Sequence, residues 1–287
     1  MCGICAKIEN IVLSEFCLQA LQCKPMSEAY CKSQGRHLPS LRGALCPRGP
    51  DSFDSVTLKI PCASKDSVET EKSNEQKEDK ICHEWTEQDT NLATVTMAGA
   101  VLHLRGEKIT PQPLSNEDAI LVWNGEIFDG TLAIGTEDND TAVLFKELSR
   151  CINDSSNSKD QHAAQKRFSE VWSGIEGPFA LIYWDKRHQC LYFGRDRLGR
   201  RSLLYHYDHT HRTFYLSSAA HSETECVQSK ETESLASLQS SLAYHWQELP
   251  CLGVYQLEWS PLGWSLNCDL WQQHEPNVRK MPLKWLR

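Results

Sequence analysis

No stretch of about 18 consecutive apolar residues occurs in this 287-residue chain, so no membrane-spanning helix is expected. Its start, Met1-Cys2-Gly3-Ile4-Cys5, lacks a basic segment followed by a long apolar one, which argues against a secretory signal. There is no basic block either. Thirty Lys and Arg against 38 Asp and Glu leave a net charge of −8, a poor match to a nucleic-acid backbone. Cys2 and Cys5 form a Cys-x-x-Cys, but no second such pair accompanies them, so a zinc or redox centre is disfavoured. The thirteen cysteines are scattered and odd in number. Without an export signal they read as reduced thiols in the cytosol rather than a disulfide framework, and a cytoplasmic location is the expectation.

What is present suffices for a core: 40% of residues are hydrophobic. A first strand is expected from Cys2 to about Val12, and one helix within 13–46. Residues 94–104 and 119–123 read as strands, Thr141–Leu148 and Ala163–Trp172 as helices. Phe179–Trp184 with Leu191–Gly194, and Leu203–Tyr207 with Thr213–Ser217, read as hairpins, and 253–259 with 264–268 as a last strand pair. Residues 65–80 are almost free of apolar side chains, so 63–90 is expected to be a disordered insertion. Residues 221–240 are polar and serine-rich. Short strands with helices segregated between them predict an α+β domain with largely antiparallel sheets.

Several residues could carry chemistry, each with a plain alternative. Removal of Met1 would leave Cys2 with a thiol and a free α-amine. An amine that ordinarily titrates near ~8 can take a thiol proton without a histidine. The alternative is an ordinary residue of an N-terminal strand. Gly3 beside it would leave room for a substrate. Arg48-Gly49-Pro50-Asp51 reads as a rigid turn presenting a guanidinium that could fork onto a carboxylate, or as a surface turn. Asn124 and Gly125, ending a strand, could offer two N–H donors to an oxyanion, or simply make a turn. Asp140 could cap the following helix or pair with an ammonium group. Arg195 and Asp196 read as a structural corner paired to each other. His206, His209 and His211 read as a solvated hairpin turn, with metal binding the lesser alternative.

Together these signals resemble a known family. The order is Met-Cys-Gly-Ile, Arg-Gly-Pro-Asp about 45 residues on, Asn-Gly-Glu-Ile at a strand end, an Asp opening the next helix, Gly-x-Phe-Ala, then Arg-Asp-x-x-Gly. This is similar to the class II glutamine amidotransferase domain, and within that class to asparagine synthetases, over residues 2–272. The resemblance implies the N-terminal-nucleophile (Ntn) hydrolase fold, a four-layer αββα sandwich of antiparallel sheets. It implies glutamine as substrate, Cys2 as nucleophile, Asn124 and Gly125 as the oxyanion hole, and Arg48 on the glutamine α-carboxylate. Glu126 and Asp140 would line the site, Asp140 on the α-ammonium.

Four departures qualify the resemblance. Pro47 stands where the family commonly has His, Ser202 stands where it has Pro, and the 63–90 segment is extra. No Ser-Gly-Gly-x-Asp-Ser loop occurs, so ATP and Mg would belong to a synthetase domain outside this chain, and no cofactor is expected within it. Residues 273–287 read as a basic tail. The competing reading is a catalytically inactive interaction or regulatory module on the same fold.

Overall fold

A computed structural model of the chain describes residues 2–21, 41–61, 92–104, 106–155, 161–220, 246–260 and 263–271. Expectations for 63–90, 221–240 and 273–287 lie outside those residues. One sheet has strand order β12-β10-β11-β1-β3-β2, formed by β1 (Gly3–Glu9), β2 (Ser52–Pro61), β3 (Leu92–Val101), β10 (Leu204–Asp208), β11 (Thr213–Ser217) and β12 (Gln247–Glu248). The other has order β14-β13-β9-β8-β5-β4, formed by β4 (Leu114–Ser115), β5 (Ala119–Gly125), β8 (Phe179–Asp185), β9 (Cys190–Arg195), β13 (Gly253–Ser260) and β14 (Gly263–Leu270). Every pairing in both is antiparallel. β6 (Asp129–Gly130) and β7 (Ile175–Glu176) form a small separate pair.

The period of two along each strand builds the layers. Ile4, Ala6 and Ile8 of β1, and Val95 and Met97 of β3, share one buried cluster with Ile120 and Val122 of β5 and with Ala180, Ile182 and Trp184 of β8. The two sheets therefore pack face to face. The alternate residues Leu121, Trp123, Phe179, Leu181 and Tyr183 fill a second cluster with Leu144, Leu148, Phe168 and Trp172. Those last four come from α3 (Asp140–Ser155) and α4 (Gln161–Ser173), which cover the outer face of the second sheet. On the outer face of the first, Cys5, Ala98 and Ala100 pack against Leu45 of the short helix α2 (Leu41–Leu45). The layers run helix, sheet, sheet, helix, an α+β sandwich. Among the described residues one outer helical layer is only five residues long.

Two elements differ from expectation. Residues 13–46 contain both α1 (Glu15–Ala20) and α2 rather than one helix. β2 was not anticipated. It is an edge strand that pairs with β3 over its full length, laying Val56, Leu58 and Ile60 against the inter-sheet core. No helix among the described residues is long and apolar enough to cross a membrane.

Candidate active site

The inter-sheet rows run out at one end of the sandwich. Even-numbered positions of β1 face the other sheet, and Cys2 is the next even position before Ile4. Even-numbered positions of β5 face it too, and Asn124 follows Ile120 and Val122. Both line a cavity of about 230 Å³, together with Val101–Leu104, Gln112, Glu126, Asp140 and Arg201. Leu104 and Phe128, 69% and 65% exposed, stand among its lining residues. The Cys2 Sγ lies 3.9 Å from the carbonyl oxygen of Leu102.

Asn124 is 1% exposed, and its Nδ2 is buried with no hydrogen-bond partner among the described residues. Leaving such a donor unpaired costs about 1–3 kcal/mol, so the fold alone does not account for it. Gly125 admits no side chain: a Cβ there would stand 2.7 Å from both the Phe179 Cβ and the Pro178 carbonyl oxygen. The direction of its N–H follows from the ladder. Phe179 accepts the Asp196 N–H on its carbonyl and donates its own N–H to the Asp196 Oδ2, both on the β9 side. Gly125, opposite Phe179, therefore points its own N–H away from β8. It points to the same side as the N–H of Trp123, two residues earlier.

Gln112 organises that side. Its carboxamide donates to the Trp123 carbonyl at 3.0 Å and accepts from the Trp123 N–H at 2.6 Å, as a neighbouring strand would. β4 pairs only with Ile120 and Leu121, so on that side no strand among the described residues lies opposite Gly125. Gln112 also packs over Gly99 of β3, where a Cβ would meet the Gln112 Cβ at 2.6 Å.

Asp140 is 5% exposed, and its Oδ2 accepts the Ile127 N–H at 2.7 Å. Asp140 was a candidate cap for this helix. The cap is instead Asn139, whose Oδ1 accepts from the N–H groups of Thr141 and Ala142 at 3.0 and 3.3 Å. Being one residue inside, Asp140 aims at the turn after Gly125. Glu126, with its side chain 43% exposed, pairs with Arg201 at 2.7 Å, and Arg201 is 16% exposed.

Arg48 ends a 3₁₀ turn, Cys46–Arg48, rather than a β-turn, and Pro47 suits it because its ring fixes the φ that the turn needs. The Arg48 guanidinium donates to the Ser218 carbonyl and lies outside the cavity lining. Burial, and then the positive charge of Arg201, hold it below its ordinary pKa. The rest of that motif is bolted to the end of β3. A Cβ on Gly49 would stand 2.2 Å from the Ala100 carbonyl oxygen, and the Asp51 Oδ2 accepts the His103 N–H at 2.7 Å. The motif thus braces Val101–His103, which line the cavity.

Three local readings are corrected. Gly3 does not open space for a substrate, because a Cβ there would meet the Leu45 backbone oxygen at 2.8 Å. Its smallness lets α2 sit on β1. Arg195 and Asp196 do not pair with each other. Arg195 donates to the carbonyls of Gly199, Arg201 and Leu249 and pairs with Glu248, while Asp196 accepts from Phe179, Leu198 and Arg200. The two hold opposite sides of the loop that delivers Arg201. His206 is not in a turn. It is a buried residue of β10 whose ring lies 6.0 Å from Tyr215, while His211 binds Asp208 at 2.7 Å. Among the described residues no three His, Cys, Asp or Glu side chains gather as a metal site.

Sequence reasoning missed Gln112, Ser218 and the placement of Arg201. Ser218 donates its N–H to the Ile4 carbonyl, accepts the Ile4 N–H on its hydroxyl, and takes both the Arg48 guanidinium and the Ser202 hydroxyl on its carbonyl. None of these residues carries a local pattern that would have marked it. Arg201 alone lies beside a recognisable motif, two residues after the Gly199 that closes Arg-Asp-x-x-Gly.

Residues 101–223 match the family described as glutamine amidotransferase domain. The human asparagine synthetase domain-containing protein 1 (Homo sapiens) is a homologue, 36% identical over 159 residues, covering 55% of this chain and 20% of that protein. The bovine protein of the same name (Bos taurus) is 32% identical over 209 residues, covering 69% and 28%. The chain thus spans between a fifth and three tenths of the length of these relatives. A solved glutamine phosphoribosylpyrophosphate amidotransferase from B. subtilis aligns at 15% identity over 60% of this chain and 34% of that one, with a TM-score of 0.34.

Proposed function

We propose that the chain is a glutaminase, the ammonia-releasing part of an asparagine synthetase-like protein. The observation that carries this is the buried Asn124 Nδ2, without a partner among the described residues, in the same cavity as Cys2 and Asp140. A donor held without a partner beside a thiol suits an oxygen that becomes negative only during reaction. The matched family and the names of the homologues point the same way.

In this reading Met1 is removed and the Cys2 α-amine takes the thiol proton. The thiolate attacks the side-chain amide carbon of glutamine, with Asn124 Nδ2 and the Gly125 N–H receiving the oxyanion. As the carbon–nitrogen bond breaks, the α-ammonium returns its proton to the leaving nitrogen, giving ammonia and a γ-glutamyl thioester. Water then cleaves the thioester to glutamate and restores the thiol. Asp140 takes the substrate ammonium, Arg48 lends its positive charge to the α-carboxylate from outside the lining, and Glu126 lines the pocket. The ammonia would pass to a synthetase domain outside this chain, where ATP and Mg would activate the acceptor.

The test is ammonia release from glutamine by the wild type beside Cys2→Ala, with the intact mass recorded for both. Release only from the wild type, in a preparation lacking Met1, is expected. Equal release from both would reject the mechanism.

A further inference from the structure

A zwitterionic amino acid brings one anion and one cation to its pocket, and the described lining residues are unevenly matched to it. Asp140 and Glu126 supply two carboxylates, while Arg201 supplies the guanidinium. Arg48 is not a lining residue, and its guanidinium is on the Ser218 carbonyl. Arg201 is incompletely used by the fold. One nitrogen, Nη2, holds Glu126, and its Nε is buried with no partner among the described residues.

We infer that Arg201 is a substrate-binding residue, which donates to the α-carboxylate of the amino-acid substrate at the cavity wall, with Arg48 as the supporting charge. This rests on the glutaminase reading. Glu126 then acts as a holder: its bond at 2.7 Å fixes the plane of the Arg201 fork before substrate arrives. The loop that presents Arg201 is itself fixed, since Arg195 binds the carbonyls of Gly199 and Arg201 from beneath. Two guanidinium groups near enough for one to disfavour the charge of the other would both gain from an anion between them.

The test separates this role from the glutaminase reading by measuring binding apart from turnover. Calorimetry on Cys2→Ala would compare L-glutamine with 4-aminobutanamide, which is glutamine without its α-carboxylate. Adding Arg201→Gln should weaken glutamine roughly 10- to 100-fold and leave 4-aminobutanamide unchanged. Arg201→Lys, which keeps charge and loses the fork, should fall between, and it serves alone if Arg201→Gln does not fold. Unchanged glutamine affinity, or equal weakening of both ligands, overturns the inference. Ammonia release by the Arg201-intact, Cys2-intact chain then shows whether the glutaminase reading stands without it. Absence of any glutamine binding to Cys2→Ala overturns the inference as well.

Discussion

The Asp140 carboxylate accepts the Ile127 N–H at 2.7 Å, so the first turn of α3 holds the turn that follows Asn124 and Gly125. An acid there also suits the positive end of the helix. Asp140→Asn keeps the shape and removes the charge. We expect kcat/KM for glutamine to fall about tenfold or more, while 4-carbamoylbutanoate, glutamine without its amine, is hydrolysed as by the wild type. Ammonia release with both substrates checks this. Parallel losses would reject an ammonium-binding role.

Asn124→Ala separates stability from catalysis. Its Nδ2 bonds nothing among the described residues, and its loss relieves an unpaired donor, so the unfolding free energy in urea should not fall and should rise by at most about 1–3 kcal/mol. If it serves the oxyanion, kcat should fall by roughly 10²–10³, or about 2.7–4 kcal/mol of barrier, with KM little changed. A drop in kcat under tenfold would remove Asn124 from the mechanism.

The two thiols of the Cys-x-x-Cys should behave differently. Cys5 is fully buried under α2 and burial pushes its thiol up to about 12, while Cys2 is half-buried in the cavity wall. At pH 8 roughly one Cys5 in 10⁴ would be thiolate, even where reagent reached it. Brief treatment of the native protein with iodoacetamide, followed by peptide mapping, should show Cys2 alkylated and Cys5 protected. Comparable labelling of both would contradict the packing described.

How far the chain could be read depended on where the deciding contacts lie. The strands of the second sheet were legible because β8 and β9 are covered on both faces, so Phe179–Trp184 is a continuous apolar run. β2 was not, because an edge strand half-open to solvent interleaves Ser, Asp, Thr and Lys with its apolar positions. The nominated residues Cys2, Asn124, Gly125, Glu126 and Asp140 share one cavity, and Arg48 stands outside it. The unforeseen parts are contacts between distant residues: Arg201 with Glu126 at a separation of 75, Ser218 with Ile4 at 214. Asp140 was legible as a helix start, and the capping alternative for it falls one position from the true cap, Asn139, the scale on which helix ends are hardest to place.

The Gln112 carboxamide does for Trp123 what a longer β4 would have done, and it does so for one residue only. Sheets normally treat an open edge as a hazard and cover it. Here the cover stops one rung short, at Gly125. A carbonyl oxygen arriving in the cavity would take the place of the missing rung. The bond that recognises it is then the ordinary bond of sheet formation, lent to a visitor, and a side chain decides which rung is left to lend.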